Sequence, residues 1–378
     1  MISMCRRRRC LLIFLCTIPV CLAAAVQVPV VVATNTTVRL MAANLSSGNF
    51  QRYESFGLDI LKGLKPDVVA IQEFNYASTT LGTNTAAALR EMIDQTFGTN
   101  FAFFRQSGAG ITIPNGVISR FPILDSGVWD DIELPDRDFV WARLKPPGSI
   151  DLYVVSVHLK ASSADAATRA REASALKTLI QTNFPAGAFV IVAGDFNISA
   201  PTEAALTTFK TFLSDDPIPT DATSGGDADT NAGRTQRYDY VLPNSVLDTN
   251  RVATVIGSQT FSNGLVFDSR VFTPLTDVAP VQSGDSGATG MQHMGVIKDF
   301  RITYTVTNLV DVVPPRLTLL STNILNWIGQ SNVVYTVQSS LDLTFWFTNG
   351  AAASSTTNFF FTNSTPDPTR TFYRLSYP

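Results

Sequence analysis

The chain has 378 residues, 45% of them hydrophobic, and a formal charge of -3 at pH 7; that suffices for one large core and a smaller companion in a soluble protein. All four cysteines (Cys5, Cys10, Cys16 and Cys21) precede Ala23, so a body that begins after them has no disulfide, no thiolate chemistry and no cysteine-ligated zinc. Loss of Arg6 to Arg9 with that leader takes the charge from -3 to -7, and an acidic body argues against coating nucleic acid by phosphate neutralisation, though not against a nuclease.

The leader itself reads as a secretory signal over 1–25. Arg6 to Arg9 form a positive region, Leu11 to Leu22 a short apolar one, and Ala23-Ala24-Ala25 a small-residue cleavage site. The apolar run is shorter than the ~20 residues a spanning helix needs. The mature chain is therefore expected to lack a transmembrane segment and to be secreted, periplasmic or at the cell surface.

Beyond it, apolar runs alternate with helical periodicity. Val38 to Asn44 reads as a buried strand, and Tyr53, Phe56, Ile60 and Leu64 then recur at helical spacing. Asp67 to Phe74 is a second strand and Thr85 to Phe97 a helix; Phe101 to Arg105 and Gly116 to Ser119 are further strands. A strand at Leu152 to Leu159 leads to a helix from about Ala164, with Ala166, Ala170, Ala173, Leu176 and Ile180 as its apolar stripe, and then to the strand Phe189 to Ala193. Thr220 to Arg234 is a polar loop. Such alternation predicts a layered α/β fold whose strand-end loops carry the chemistry. After Pro314 helical periodicity gives way to the short runs ILNWIG, VVYTVQSS, FFFTN and FYRLSY, a small all-β domain over 314–378 joined by a linker at 307–313.

Polar residues of a chemically suggestive kind stand at the ends of the apolar runs. Asn44 follows the first strand, Glu73 the second, and His158 closes LYVVSVH; Gly194-Asp195-Phe196-Asn197 follows VIVA, Asp239 lies in RYDYVL, and His293 precedes MGVI. Singly each has a bland reading: a turn cap, a solvated edge residue, an Asx turn, or an Asp239–Arg237 ion pair. Together they supply hard oxygen donors that suit Mg²⁺, with Mn²⁺ as the alternative, and imidazoles that titrate near neutrality.

In order, AAN, IQE, NGVISRFPI, SVHLKA, GDFN, RYDYVL and QHMGVIKDF resemble the endonuclease/exonuclease/phosphatase superfamily over about Thr36 to Tyr304. The resemblance implies a four-layer α/β sandwich, deoxyribonuclease-like, spanning 36–306. It implies that Asn44 and Glu73 support the metal, that Asp195 and Asn197 position or activate the attacking water, and that His158 contacts the phosphate or protonates the leaving oxygen. Asp239 would orient His293, a general base or transition-state stabiliser. Arg120 and Arg237, with Asn115, are candidate substrate contacts; Arg137, Arg143 and Lys160 are weaker ones.

Two departures from the family pattern stand out. Gln292 replaces the acid that normally precedes the last histidine, with Asp285 in the GDSG loop as a conceivable substitute, and no acid within Ile111 to Ser119 is available to partner His158. The C-terminal run YTVQSS-LDL-W resembles β-rich domains ending many secreted proteins of Verrucomicrobia-like bacteria, which implies a cell-surface or glycan partner. The functional expectation is a secreted metal-dependent phosphodiesterase, a nuclease foremost. The alternatives are a phosphomonoesterase, a phospholipid-type diesterase, or a binding protein that keeps the fold without turnover.

Overall fold

Two-residue alternation decides the layers. In β1 (Val26–Ala43), Val38, Leu40 and Ala42 enter one buried cluster while Met41 and Ala43 enter another, so this strand is covered on both faces. The computed structural model describes residues 26–312, 315–321, 323–364 and 371–376. The expected leader at 1–25 and its cysteines lie outside the described residues.

After β1 come α1 (Ser55–Leu64), β2 (Val68–Ile71), α2 (Ala86–Phe97), β3 (Ala102–Arg105) and β4 (Gly116–Ser119). The next run is β5 (Ile123–Trp129), β6 (Phe139–Leu144), β7 (Leu152–His158), α3 (Ala166–Asn183), β8 (Phe189–Asp195), α4 (Ala204–Lys210) and β9 (Asp239–Pro243). It closes with α5 (Ser245–Asp248), β10 (Arg251–Val252), β11 (Thr254–Ile256), β12 (Gln259–Phe261), β13 (Leu265–Phe267) and β14 (Gly295–Val312).

One sheet has the order β10-β14-β1-β2-β4-β3, with β13 on β14, and the other β5-β6-β7-β8-β9. They pack face to face through Leu40, Val68 and Val117 against Val140, Val154, Ile191 and Val241. The outer face of the first is covered by Ile60 and Leu64 of α1 and Leu89 and Ile93 of α2; Leu176 and Ile180 of α3 and Leu206 and Phe209 of α4 cover that of the second. The result is the four-layer α/β sandwich that the motif order implied.

Three local expectations are corrected. β1 begins at Val26 rather than Val38. Residues 307–312, expected as linker, continue β14, since ITYTVTNLV is rich in the branched residues that favour extended backbone. On α3 the buried positions are Arg169, Glu172, Ala173, Leu176 and Ile180; Ala166 and Ala170 are only partly covered.

The two charged residues are buried because each has polar partners waiting. Arg169 donates to both oxygens of Glu203 at 2.9 Å and to the carbonyls of Lys160 and Ser162. Glu172 accepts the Lys160 amide at 3.1 Å, and burial, aided by the neighbouring Asp131 carboxylate, raises its carboxyl to about 8. The folded chain thus holds a proton that the unfolded chain releases above about pH 4.3, so this contribution to stability is lost as pH rises through 8. Glu172→Gln, neutral at every pH, is expected to melt higher than the parent at pH 8–9, by about 2 kcal/mol, with little gain at pH 4. Melting curves across pH check this, and a parallel pair of profiles would contradict it.

The described residues fall into two compact units, Thr34–Tyr304 and a second made of those up to Ala33 and from Thr305 onward. The second holds β15 (Thr318–Leu319), β16 (Ile324–Ile328), β17 (Tyr335–Ser340), β18 (Phe347–Ala352), β19 (Asn358–Thr362) and β20 (Phe372–Ser376). They form the sheets β15-β16-β19 and β18-β17-β20 around Trp327, Tyr335, Val337 and Phe359, with Val30 joining that core. Among the described residues no helix is long and apolar enough to cross a membrane.

Candidate active site

Strand pairing, more than sequence proximity, assembles the site. β1 and β2 are parallel with Ala43 opposite Ile71, which brings Asn44 and Glu73 to the same edge. On the other sheet His158 ends β7 directly opposite Asp195 at the end of β8, and Asp195 stands opposite Asp239, the first residue of antiparallel β9. His293 precedes β14 and is held by the polar loop through an Asn231–His293 bridge and hydrogen bonds from Ala232 N to Gln292 O (2.7 Å) and Met294 N to Thr230 O (2.6 Å). Beneath the site the sheets are tied by Gln72 Nε2 donating to Ser156 Oγ at 2.9 Å and Ser156 Oγ donating to the Ile71 carbonyl at 3.1 Å.

Asp195 Oδ2 is the common point. Asn44 Nδ2 donates to it at 3.1 Å, and the Nε2 atoms of His158 and His293 lie 3.4 and 3.5 Å away. Asp195 Oδ1 accepts the Asn197 amide at 2.9 Å, and Asn197 Nδ2 donates to the Leu159 carbonyl at 3.0 Å. His293 Nδ1 meets Asp239 Oδ2 at 2.8 Å. Asn44, Glu73, His158, Asp195, Asn197, Asp239 and His293 are all buried. Glu73 and Asn197 are non-glycine residues at φ 48° and 49°, a left-handed conformation that costs of order 1–3 kcal/mol each and concentrates at functional sites.

Burial and charge divide the protons unequally. Burial raises the Asp195 carboxyl, against the pull of His293 and with further elevation from Asp239. Burial opposes charge on His293, but Asp239 and Asp195 overcome it and lift the imidazole to about 10. His158 goes the other way, well below its ordinary value, through burial first and then Arg137 and His293. At neutral pH His293 is thus a cation and His158 neutral, and the 3.4 Å His158–Asp195 approach is no ion pair.

A hard divalent ion fits this donor set. Asn44 Oδ1 and Asp239 Oδ1 are buried acceptors without a hydrogen-bond partner among the described residues, and the ligand atoms of Asp195, Asp239 and His293 lie within 4.8 Å of one another. Glu73, its carboxyl raised by burial, is held by Ser46 Oγ. The Gln51 amide, turned to donate, reaches Glu73 Oε1 at 2.8 Å. Asn44 and Glu73 would hold the ion, with Asp195 and Asp239 as further carboxylate donors in the same cluster; His293, as a cation, is excluded from ligation until it loses its proton.

The proposed substrate contacts separate. Asn115 precedes β4 at the Glu73 end, because β4 runs antiparallel to β2 with Gly116 opposite Ile71; its Nδ2 donates to Asp138 O at 2.6 Å. Arg120 is corrected for the same reason: at the far end of β4 it pairs with Asp67, which precedes β2, at 2.7 Å. Arg120→Ala should therefore change kcat/KM less than about twofold, the scale of a surface ion pair, and a loss beyond tenfold in steady-state assays would put Arg120 back at the site. Arg237 also leaves the cluster. Its fork is taken by Asp215 at 2.7 and 3.2 Å and stacks 4.0 Å over Tyr240, so it makes no pair with Asp239.

Arg143 likewise pairs with Asp151. Asp285 accepts the Gln282 amide at 2.7 Å and does not stand in for the missing acid. Gln292 instead lies beside Gln51, amide to amide at 3.4 Å. Among the described residues His158 has no carboxylate on its other nitrogen, and Nδ1 is buried without a partner. Its strand end is fixed from behind, where Arg137 donates to the carbonyls of His158 (2.6 Å) and Leu159 (3.2 Å). Ser46, Gln51 and Thr230, whose Oγ1 accepts the Asp239 amide at 2.9 Å, were not singled out from sequence. Only Ser46, directly after AAN-Leu45, stood near a recognisable motif.

Similar solved structures include a humanised D. rerio TDP2 carrying 14 mutations (15% identity, 70% of this chain and 98% of that chain, TM-score 0.45). Another is the human nocturnin catalytic domain with bound sulfate (14%, 74% and 98%, 0.48). A third is an endonuclease/exonuclease/phosphatase from Beutenbergia cavernae DSM 12333 (15%, 90% and 100%, 0.45). No curated protein matches the sequence. The model of the endonuclease/exonuclease/phosphatase family matches residues 58–262, more than half of the chain, over the strands that carry Glu73, His158, Asp195 and Asp239. The chain belongs to the endonuclease/exonuclease/phosphatase family.

Proposed function

We propose that this protein is an exported, Mg²⁺-dependent phosphodiesterase that hydrolyses nucleic acid by in-line attack of water. Family members are generally phosphoester hydrolases that use divalent metals, and the observation that carries the reading here is the convergence of Asn44, His158 and His293 on one oxygen of Asp195. The charged leader pattern supports export.

The residues divide the work by protonation state. Asp195, held by Asn44 and Asn197, accepts the proton of the attacking water as its oxygen bonds to phosphorus; its raised carboxyl matches a base that operates near neutrality. His293 is already protonated, so it acts as a fixed cation donating to a non-bridging phosphoryl oxygen, with Asp239 keeping it charged and oriented. Neutral His158 offers an N–H to the phosphoryl group, and the leaving oxygen takes its proton from solvent. When bound, Mg²⁺ supplies Lewis-acid polarisation of the phosphoryl group.

The test is incubation of the protein with Mg²⁺ and plasmid DNA, RNA, bis-(p-nitrophenyl) phosphate and phospholipid, beside an Asp195→Ala control. Metal-dependent, control-sensitive cleavage of DNA or RNA is expected. Turnover of phospholipid alone would refute the nuclease assignment, and no turnover at all would refute the enzyme.

A further inference from the structure

The loop between Asn44 and α1 contains two consecutive strained residues, Phe50 at φ 58° and Gln51 at φ 44°. Neither is glycine, so both conformations must be enforced from outside. The structure does so on two sides. Ser47 N donates to Arg52 O at 2.9 Å and Gly48 N to Gly290 O at 2.8 Å, while Tyr53 N donates to Asn75 O at 2.8 Å and Asn75 Nδ2 to Gln51 O at 3.0 Å. The consequence is specific. Gln51 points inward to Glu73, and Phe50, one Cα step of about 3.8 Å from it, is left 45% exposed, with the Arg52 guanidinium 5.5 Å from its ring centroid.

We propose that Phe50, backed by Arg52, is a stacking platform for an unpaired nucleobase next to the scissile phosphate, which makes single-stranded or frayed nucleic acid the preferred substrate. The inference rests on the nuclease reading above. A duplex keeps its bases stacked on one another and offers only their edges, whereas a single strand presents the ring faces that an aromatic side chain can engage. Arg52 is paired with Glu54 at 3.1 Å, so it is not a free cation for an anionic lipid surface. A phospholipid headgroup has no planar face for the ring to cover.

The discriminating experiment compares an oligothymidylate with a same-length strand of abasic tetrahydrofuran phosphates, using the full chain with Mg²⁺. The parent protein should favour the base-bearing strand through KM. Phe50→Ala should lower that selectivity ratio about tenfold, the scale of one base–aromatic stack, and Phe50→Trp should restore it. An unchanged ratio in Phe50→Ala, with cleavage of the oligothymidylate intact, overturns the platform and leaves the nuclease standing. Failure of the parent to cleave either strand while it cleaves duplex plasmid overturns the single-strand preference and leaves the nuclease standing; failure on plasmid DNA and RNA as well overturns both.

Discussion

Replacing Asp195 by Ala is expected to lower metal-dependent turnover by about 10³-fold or more, the scale of a positioned acid–base group removed together with the site it organises. No other side chain of the cluster is shared so widely: Asn44, His158 and His293 all face its Oδ2, and the Asn197 amide is bonded to its Oδ1. Truncation leaves the buried Asn44 and Asn197 donors without their acceptor and the His293 cation without one of its carboxylates, so the fold itself is at stake. Asp195→Asn preserves the volume and one acceptor oxygen while removing the charge and the basicity. If it folds as judged by circular dichroism, it should be as inactive as the truncation. Turnover above about a tenth of the parent's in a folded Asp195→Asn protein would place the proton acceptor elsewhere.

Gly194→Ala is expected to be a costly small change in stability. Gly194 sits at φ 138° directly opposite Val157, and a Cβ there would overlap the Val157 carbonyl and the Gln72 amide. Neither neighbour can retreat, since the carbonyl belongs to a central strand and the amide is bonded to Ser156. Strain and a broken buried hydrogen bond together should cost about 4 kcal/mol, or roughly 10 °C in Tm for a domain of this size. Thermal denaturation reads this directly. A shift within about 2 °C would mean that the strand end yields more than a packed sheet should.

Much of the site was legible because its residues punctuate apolar runs. Gly116–Ser119 was delimited residue for residue, and Asn44, Glu73, His158, Asp195, Asp239 and His293 come together as the motif order implied. What sequence does not carry is strand direction. Asn115 and Arg120 flank the same strand and looked equivalent, yet antiparallel pairing sends one toward Glu73 and the other to Asp67. Nor does it carry the partners of buried charge. Arg169 and Glu172 take core-facing positions that a hydropathy stripe assigns to alanine. Gln51 was invisible for a third reason: a left-handed backbone sets its direction, and no periodicity encodes that. Gln292 was recognised as a departure from sequence, but its neighbour Gln51 was not.

The hydrogen bonds from Gln72 to Ser156 and from Ser156 to Ile71 have a bearing on how this protein can fail. Asn44 and Glu73 ride on one sheet, His158, Asp195 and Asp239 on the other, so the reactive geometry exists only along the seam between the two packed sheets. A slip of about 1 Å at that seam would leave every strand intact and the chain as heat-resistant as before, while costing about 10²-fold in rate. Core substitutions between the sheets therefore act on alignment as well as on stability, and a melting curve alone reads only the second effect.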